Sequence, residues 1–89
     1  KAVRVVMAVR WSTRVRDGVA HARGVALAYG LEFVFSGQSP VLDGNETRAI
    51  CTAKRRALVE LGLSPDAAAR VADGDLTGDA LTVALEELA

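Results

Sequence analysis

The stretch TRVRDGVAHARGVALAYG at residues 13–30 decides the fold, because it connects two segments that have the pattern of β-strands. Its apolar residues recur at the three- and four-residue spacing of one helical face, at Val15, Val19, Ala22, Ala26 and Tyr29. Ser12 or Thr13 is suited to cap the start of such a helix, and Gly30 is suited to end it. The spacing therefore predicts a helix over residues 13–29.

The segments on either side of this stretch alternate between apolar and polar residues, as half-buried strands do. Residues 2–11 and 31–35 both show this alternation, and both contain many β-branched or aromatic residues. A strand, a helix of about 17 residues and a second strand form a crossover unit with parallel strands and a right-handed connection. Since two strands make a marginal sheet, we expect a second chain, a further part of the protein or the C-terminal helices to complete it.

Helices are predicted for the rest of the chain, after a loop at residues 38–44. Asn45 is suited to cap a helix over Glu46–Leu61, and Ser64 with Pro65 begins a shorter helix over Pro65–Ala72. Thr77 would cap a fourth helix that reaches residue 88. The predicted fold is therefore α/β (α+β), a β-α-β unit followed by a three-helix C-terminal bundle. We expect one domain over residues 1–89, with residues 1–36 as the β-α-β part and residues 45–89 as the helical part.

The run ALVELGLSPDAAAR at residues 57–70 resembles the first two helices of the ubiquitin-associated (UBA) family. In that three-helix family a hydrophobic-Gly-hydrophobic turn follows the first helix, and an alanine-rich second helix comes next. Leu61-Gly62-Leu63 fits this turn, although the link that leads on to Leu76 is shorter than in the family. The resemblance covers residues 54–88 and implies a UBA-like C terminus that contacts proteins rather than catalysing a reaction.

Length and composition exclude several classes of protein. The 89 residues suit one modest core, and the single cysteine, Cys51, cannot form an internal disulfide. No uncharged stretch approaches the roughly 20 apolar residues that a membrane span needs. We therefore expect a cytoplasmic protein with no membrane contact.

The charges are distributed unevenly although the formal net charge is zero. Residues 1–36 contain six basic and two acidic residues, a net charge of +4, whereas residues 64–89 contain one basic and six acidic residues, a net charge of −5. Such a bipolar chain indicates either an anionic partner for the basic half or head-to-tail contact between copies.

The start of the predicted first helix is the best candidate for an anion site. Arginines in a first helical turn are unfavourable unless an anion compensates them, and hydroxyls with free backbone N–H groups suit a phosphate. Ser36 and Gln38 would follow the carboxyl end of the parallel neighbour, where open α/β sheets bind ligands. The alternative is that these are ordinary capping hydroxyls and solvated arginines. The predicted anion- or nucleic-acid-binding residues are Arg10, Ser12, Thr13, Arg14, Arg16, Arg23, Ser36 and Gln38.

Other functional patterns have simpler explanations. Trp11, Phe33 and Phe35 could stack on bases, but their places on apolar strand faces favour core packing. Asp17 and His21 would share a helical face, yet nothing brings Cys51 to them, so a surface ion pair and a buried thiol explain all three. One histidine and one cysteine far apart have no zinc-site spacing. We therefore expect no catalytic residues, no metal and no cofactor.

Small residues in the predicted first helix suggest close contact with another backbone. Ala20, Gly24 and Ala28 share one helical face, which would suit either the protein's own sheet or the same helix in a second copy. We expect a homo-oligomer. The preferred function is a non-enzymatic domain with an Arg-rich surface for an anionic partner, nucleic acid above all. The alternative is a protein-protein interaction or self-assembly module that uses the acidic C-terminal helices.

Overall fold

The computed structural model describes residues 9–28 and 31–72 of the chain, excluding the side chains of residues 27 and 28. Three strands precede two helices in this part: β1 (Arg10–Arg16), β2 (Val19–Ala28), β3 (Leu31–Pro40), α1 (Glu46–Leu61) and α2 (Pro65–Ala72). The strands form one antiparallel sheet in the order β1-β2-β3. The architecture is α+β, with α1 packed on one face of the sheet.

The predicted helix over residues 13–29 is wrong, and so is the parallel crossover built on it. The chain reverses direction at Asp17 and Gly18, whose φ angles of 53° and 75° are both positive. Two central residues with positive φ make the tight turn whose twist matches that of antiparallel strands, and Asp-Gly is among its favoured sequences. The turn pairs Arg16 with Val19 and aligns the rest of β1 and β2.

The alanines of β2 explain why this strand has the spacing of a helix. Ala20, Ala22 and Ala26 alternate along β2, and each is almost completely buried on the face that α1 covers. The valines and longer polar residues between them point to the other face. Both faces of the sheet therefore carry apolar residues. Residues 15, 22 and 26 lie on the face that α1 covers and residue 19 lies on the other face, so their helical spacing in the sequence does not correspond to a single surface. The small residues at positions 20 and 24 were expected to contact either the protein's own sheet or a second helix, but they belong to the sheet itself, where Ala20 packs beneath α1 and Gly24 faces the Phe35 and Trp11 rings.

Glycine allows α1 to lie directly on β3. A Cβ atom added at Gly37 would be 2.5 Å from the carbonyl oxygen of Ala53 and 2.6 Å from the backbone nitrogen of Ala57. The helix presents Ala49, Ala53 and Ala57 to the sheet at intervals of four residues, and all three are buried. Helix and sheet therefore approach each other almost backbone to backbone.

Both described helices have the predicted bounds. The Asn45 side chain accepts a hydrogen bond of 3.0 Å from the backbone N–H of Arg48, and Gly62 ends α1 with a φ of 123°. Ser64 Oγ accepts a hydrogen bond of 3.2 Å from the backbone N–H of Ala67 at the start of α2. These local caps explain why the bounds of α1 and α2 could be predicted correctly from the sequence.

The predicted three-helix C-terminal bundle is also wrong. The buried face of α1 packs against β2 and β3, and α2 packs against α1, so these helices form one core with the sheet. Leu58, Leu63, Ala68 and Val71 complete that core together with Phe35. The predicted fourth helix lies outside the described residues. The UBA-like turn at Gly62 therefore joins two helices of a different architecture.

Neither of the two described helices is long and apolar enough to cross a membrane.

Candidate functional site

The sheet has one face covered by α1, here called the inner face, and one face that no described element covers, here called the open face. Strand alternation divides the residues between them, because successive side chains point to opposite sides. The open face consists of Arg10, Ser12, Arg14 and Arg16 of β1, Val19, His21, Arg23 and Val25 of β2, and Glu32, Val34, Ser36, Gln38 and Pro40 of β3.

The strand register arranges the polar residues of the open face in two central rows. Arg23 lies between Ser12 and Ser36, and in the next row His21 lies between Arg14 and Gln38. Residues directly opposite each other on antiparallel strands have Cβ atoms about 4.5–5.5 Å apart. The two rows border a shallow cavity of about 490 Å³ whose lining also includes Thr13, Ala22 and Gly37. Hydroxyl, amide, imidazole and guanidinium groups thus share one concave surface.

The open face is strongly basic. It contains four arginines and one carboxylate, that of Glu32, which gives it a net charge of +3 with histidine neutral. Arg10, Arg14 and Arg23 are exposed and form no salt bridge with another described residue. Within the described part of the chain, no acidic side chain therefore neutralises these three guanidinium groups.

Arg16 has one acidic neighbour, at the turn. Its Nε lies 3.7 Å from Asp17 Oδ2, and the two side chains are 69% and 91% exposed. An ion pair this exposed contributes little stability, because water screens both charges. The Arg16 side chain can consequently leave Asp17 for another anion at small cost.

Seven of the eight predicted binding residues lie on the open face, although the reason for choosing them was partly wrong. Ser12, Thr13 and Arg14 belong to β1, so the predicted phosphate site at a helix start does not exist. Thr13 points to the side opposite the arginines but remains exposed and lines the cavity. The structure brings the other seven together through strand alternation. Their role in binding stays a prediction.

His21 belongs to this surface and was missed as a binding residue. Treated as part of a helix, it was paired with Asp17, whereas the structure places Asp17 in the turn and His21 on β2 between Arg14 and Gln38. The Asp17-Gly18 turn is the signal that would have found it, because alternation counted from that turn assigns His21 to the arginine face. Cys51 lies on α1, on the far side of the sheet, so the three residues considered for catalysis are not brought together.

Trp11, Phe33 and Phe35 lie on the inner face, and the prediction that they pack in the core is confirmed. The Trp11 and Phe35 rings meet edge to face with their centroids 5.5 Å apart, and Phe33 packs on the same cluster. Lys54 Nζ lies 5.5 Å from the centre of the Trp11 ring. No aromatic side chain of the described strands is therefore available to stack on a ligand at the open face.

The described residues contain no group of three or more His, Cys, Asp or Glu side chains that could hold a metal ion.

The chain matches no protein-family model, no curated protein and no solved structure. What the open face can bind therefore has to follow from its own side chains.

Proposed function

We propose that the open face binds nucleic acid. The observation that carries this proposal is the gathering of Arg10, Arg14, Arg16 and Arg23 on one exposed face of the sheet. Arginine is well suited to phosphate, since its planar guanidinium offers parallel N–H donors and stays charged at any physiological pH. Phosphate contacts of this kind supply most of the affinity for nucleic acids in general.

The spacing of the arginines favours a long anion over a single phosphate group. Arg10, Arg14 and Arg16 follow one another along β1 on the same face. At roughly 3.3 Å per residue, Arg10 and Arg16 are about 20 Å apart along the strand. One small ligand cannot reach both of them, whereas a sugar-phosphate backbone offers repeated charges over that length.

Neutral hydrogen-bonding groups supplement the arginines. Ser12, Ser36 and Gln38 lie on the same face, and hydroxyl and amide groups commonly donate to phosphate oxygens. Such binding requires no cofactor and no covalent chemistry.

We also propose a cytoplasmic location, because the one cysteine of the chain cannot form an internal disulfide.

The salt dependence of binding tests this proposal. Replacing Arg14 and Arg16 together by alanine should weaken binding to mixed-sequence nucleic acid and make the slope of log affinity against log salt shallower by about two units, because each lost phosphate contact releases about one counterion fewer. Fluorescence anisotropy with a labelled oligonucleotide at several salt concentrations measures both quantities. The double variant should stay folded, since both side chains are exposed.

A matched control variant removes two positive charges from the helices instead of the sheet. Arg48 and Arg70 are exposed on α1 and α2, so their double alanine variant should keep the wild-type slope within about half a unit. Equal effects of the two double variants would show that net charge matters and the open face does not. Complete lack of binding by the folded wild-type protein at about 50 mM salt would overturn the proposal.

The alternative function, protein-protein contact through the acidic C-terminal helices, depends mostly on residues outside the described part of the chain. Asp73, Asp75 and Asp79 belong to that region, as do Glu86 and Glu87. Lack of nucleic-acid binding would favour this alternative.

A further inference from the structure

Building on the proposed function, we infer that the ligand is double-stranded DNA and that the open face enters its major groove, with β2 deepest and Arg23 reading bases. The inference rests on the width of the sheet, on the order of side chains across it and on the absence of aromatic side chains from the described open face.

The width of the sheet fits one groove and not the other. Neighbouring strands lie about 4.8 Å apart, so the axes of β1 and β3 are separated by roughly 10 Å. The major groove of B-form DNA is about 12 Å wide and admits a two-stranded β-ribbon, whereas the minor groove is about 6 Å wide. Two adjacent strands of this sheet, β1 and β2, can therefore enter the major groove and not the minor groove, with β3 at the rim.

The order of side chains across the sheet suits this orientation. β1 is an edge of the described sheet and carries Arg10, Arg14 and Arg16, which would lie against the phosphates of one groove wall. β2 is the central strand and carries His21 and Arg23, which would lie over the floor of the groove. The arginines that would contact phosphate thus lie on β1, and the side chains that would contact the bases lie on β2.

Arg23 has the surroundings of a side chain that reads bases. Its neighbours across the strands are Ser12 and Ser36, whose short side chains do not cover it, and it is exposed. An arginine in the major groove can donate two hydrogen bonds to O6 and N7 of guanine, which is the commonest specific contact to a base. Gln38, in the next row on β3, has an amide that can donate to a phosphate oxygen of the opposite groove wall.

Other nucleic acids fit this face less well. Surfaces that bind single strands stack bases on aromatic side chains, yet Trp11, Phe33 and Phe35 all lie on the inner face. Double-stranded RNA has a deep and narrow major groove that side chains cannot read, and its wide minor groove is recognised mostly by shape and through 2′-hydroxyls. Duplex DNA is therefore the nucleic acid in which Arg23 can make the two-pronged contact to guanine in a major groove.

The first experiment compares three probes of one mixed sequence of about 20 nucleotides: duplex DNA, one of its single strands and duplex RNA. Anisotropy at one fixed salt concentration should give an affinity for duplex DNA that is about tenfold higher than for either other probe. Tighter or equal binding of single strands or duplex RNA would overturn the inference and leave the proposed function intact. Lack of binding to all three would overturn the proposed function itself.

The second experiment addresses the base contact. Selection from a pool of randomised duplexes of about 20 base pairs should enrich sequences with a fixed guanine. In the enriched duplex, 7-deazaguanine at that position removes the N7 acceptor without touching the backbone, and affinity should fall about fivefold or more. A pool that enriches no sequence, or an unchanged affinity after the base substitution, would overturn the groove orientation.

A charge-conserving variant separates base contact from phosphate contact. Arg23→Lys keeps the charge and loses the two-pronged donor, so it should lose the response to 7-deazaguanine while keeping the wild-type salt slope. The control is Arg16→Lys at the strand end, which should retain the response. If Arg23→Lys still distinguishes the two duplexes as the wild type does, Arg23 does not read the guanine.

Discussion

At the scale of single residues, Gly37 is the most constrained position in the contact between the sheet and α1. An added methyl group there would meet the backbone of α1 at Ala53 and Ala57. A hydrogen-bonded helix backbone cannot move aside as the end of a side chain can. Gly24 has a different environment, since an added methyl group would meet the rings of Phe35 and Trp11.

We expect Gly37→Ala to lower the free energy of unfolding by about 1–3 kcal/mol, the usual cost of overpacking a filled core. Urea denaturation followed by circular dichroism measures it. The control is Ser36→Ala on the neighbouring exposed residue of β3, which should change stability by no more than about 0.5 kcal/mol. A Gly37→Ala protein as stable as the wild type would contradict the close approach of α1 to the sheet.

Single residues also decided how well the sequence could be interpreted. Asn45, Gly62 and Ser64 mark helix ends by hydrogen bonds to atoms three or four residues away, and such local signals can be recognised without a structure. Asp17-Gly18 is equally local and is typical of a hairpin, but it lies inside the stretch whose apolar spacing predicts a helix. The error in the fold began at these two residues.

At the scale of elements, α1 depends on a cap that lies outside the core. Asn45 is exposed, and its side chain satisfies the backbone N–H of Arg48 in the first turn. We expect Asn45→Ala to lower the free energy of unfolding by about 1 kcal/mol, because that donor loses its partner.

The control for this cap is Asn45→Asp, which keeps an acceptor oxygen at the same distance from the backbone and should retain nearly all of the stability. Equal losses in the two variants, measured by urea denaturation, would mean that the hydrogen bond is not the stabilising feature.

The strands were harder to predict than the helices because their partners are distant in sequence. A strand is stabilised by pairing, and the pairing of Arg10 with Val25 or Val19 with Pro40 is not visible in any short window. In β2 the requirement for small residues beneath α1 selected alanines, and alanine is the residue that favours a helix most. Tertiary contact thus overrode local propensity.

At the scale of the whole molecule, most residues of the candidate site could be predicted from the sequence, because the prediction depended on the positions of charged residues rather than on secondary structure. The excess of arginine near residues 10–23 is visible in any fold, and seven of the eight residues chosen lie on one face. Their arrangement in rows needed the strand register, which explains why His21 was missed and Thr13 was included.

Self-association remains a prediction, and the charge of β1 determines how it should respond to salt. β1 is an edge of the described sheet, and two copies pairing along it would bring together Arg10, Arg14 and Arg16 of both chains on one face. Like charges at such distances repel, and salt screens them. We expect the mass measured by light scattering during size exclusion to rise between about 20 mM and 500 mM salt. A mass that falls with salt would contradict pairing along this edge.

Trp11 lies on β1 between two residues of the open face in sequence, yet its ring is turned to the inner face against Phe35. It is the single tryptophan of the chain, so the intrinsic tryptophan fluorescence comes from one known place beside the core. Unfolding should shift that emission to the red, whereas a ligand on the open face should leave its wavelength unchanged. The molecule thus has a built-in optical reporter that separates loss of structure from occupancy of its binding surface.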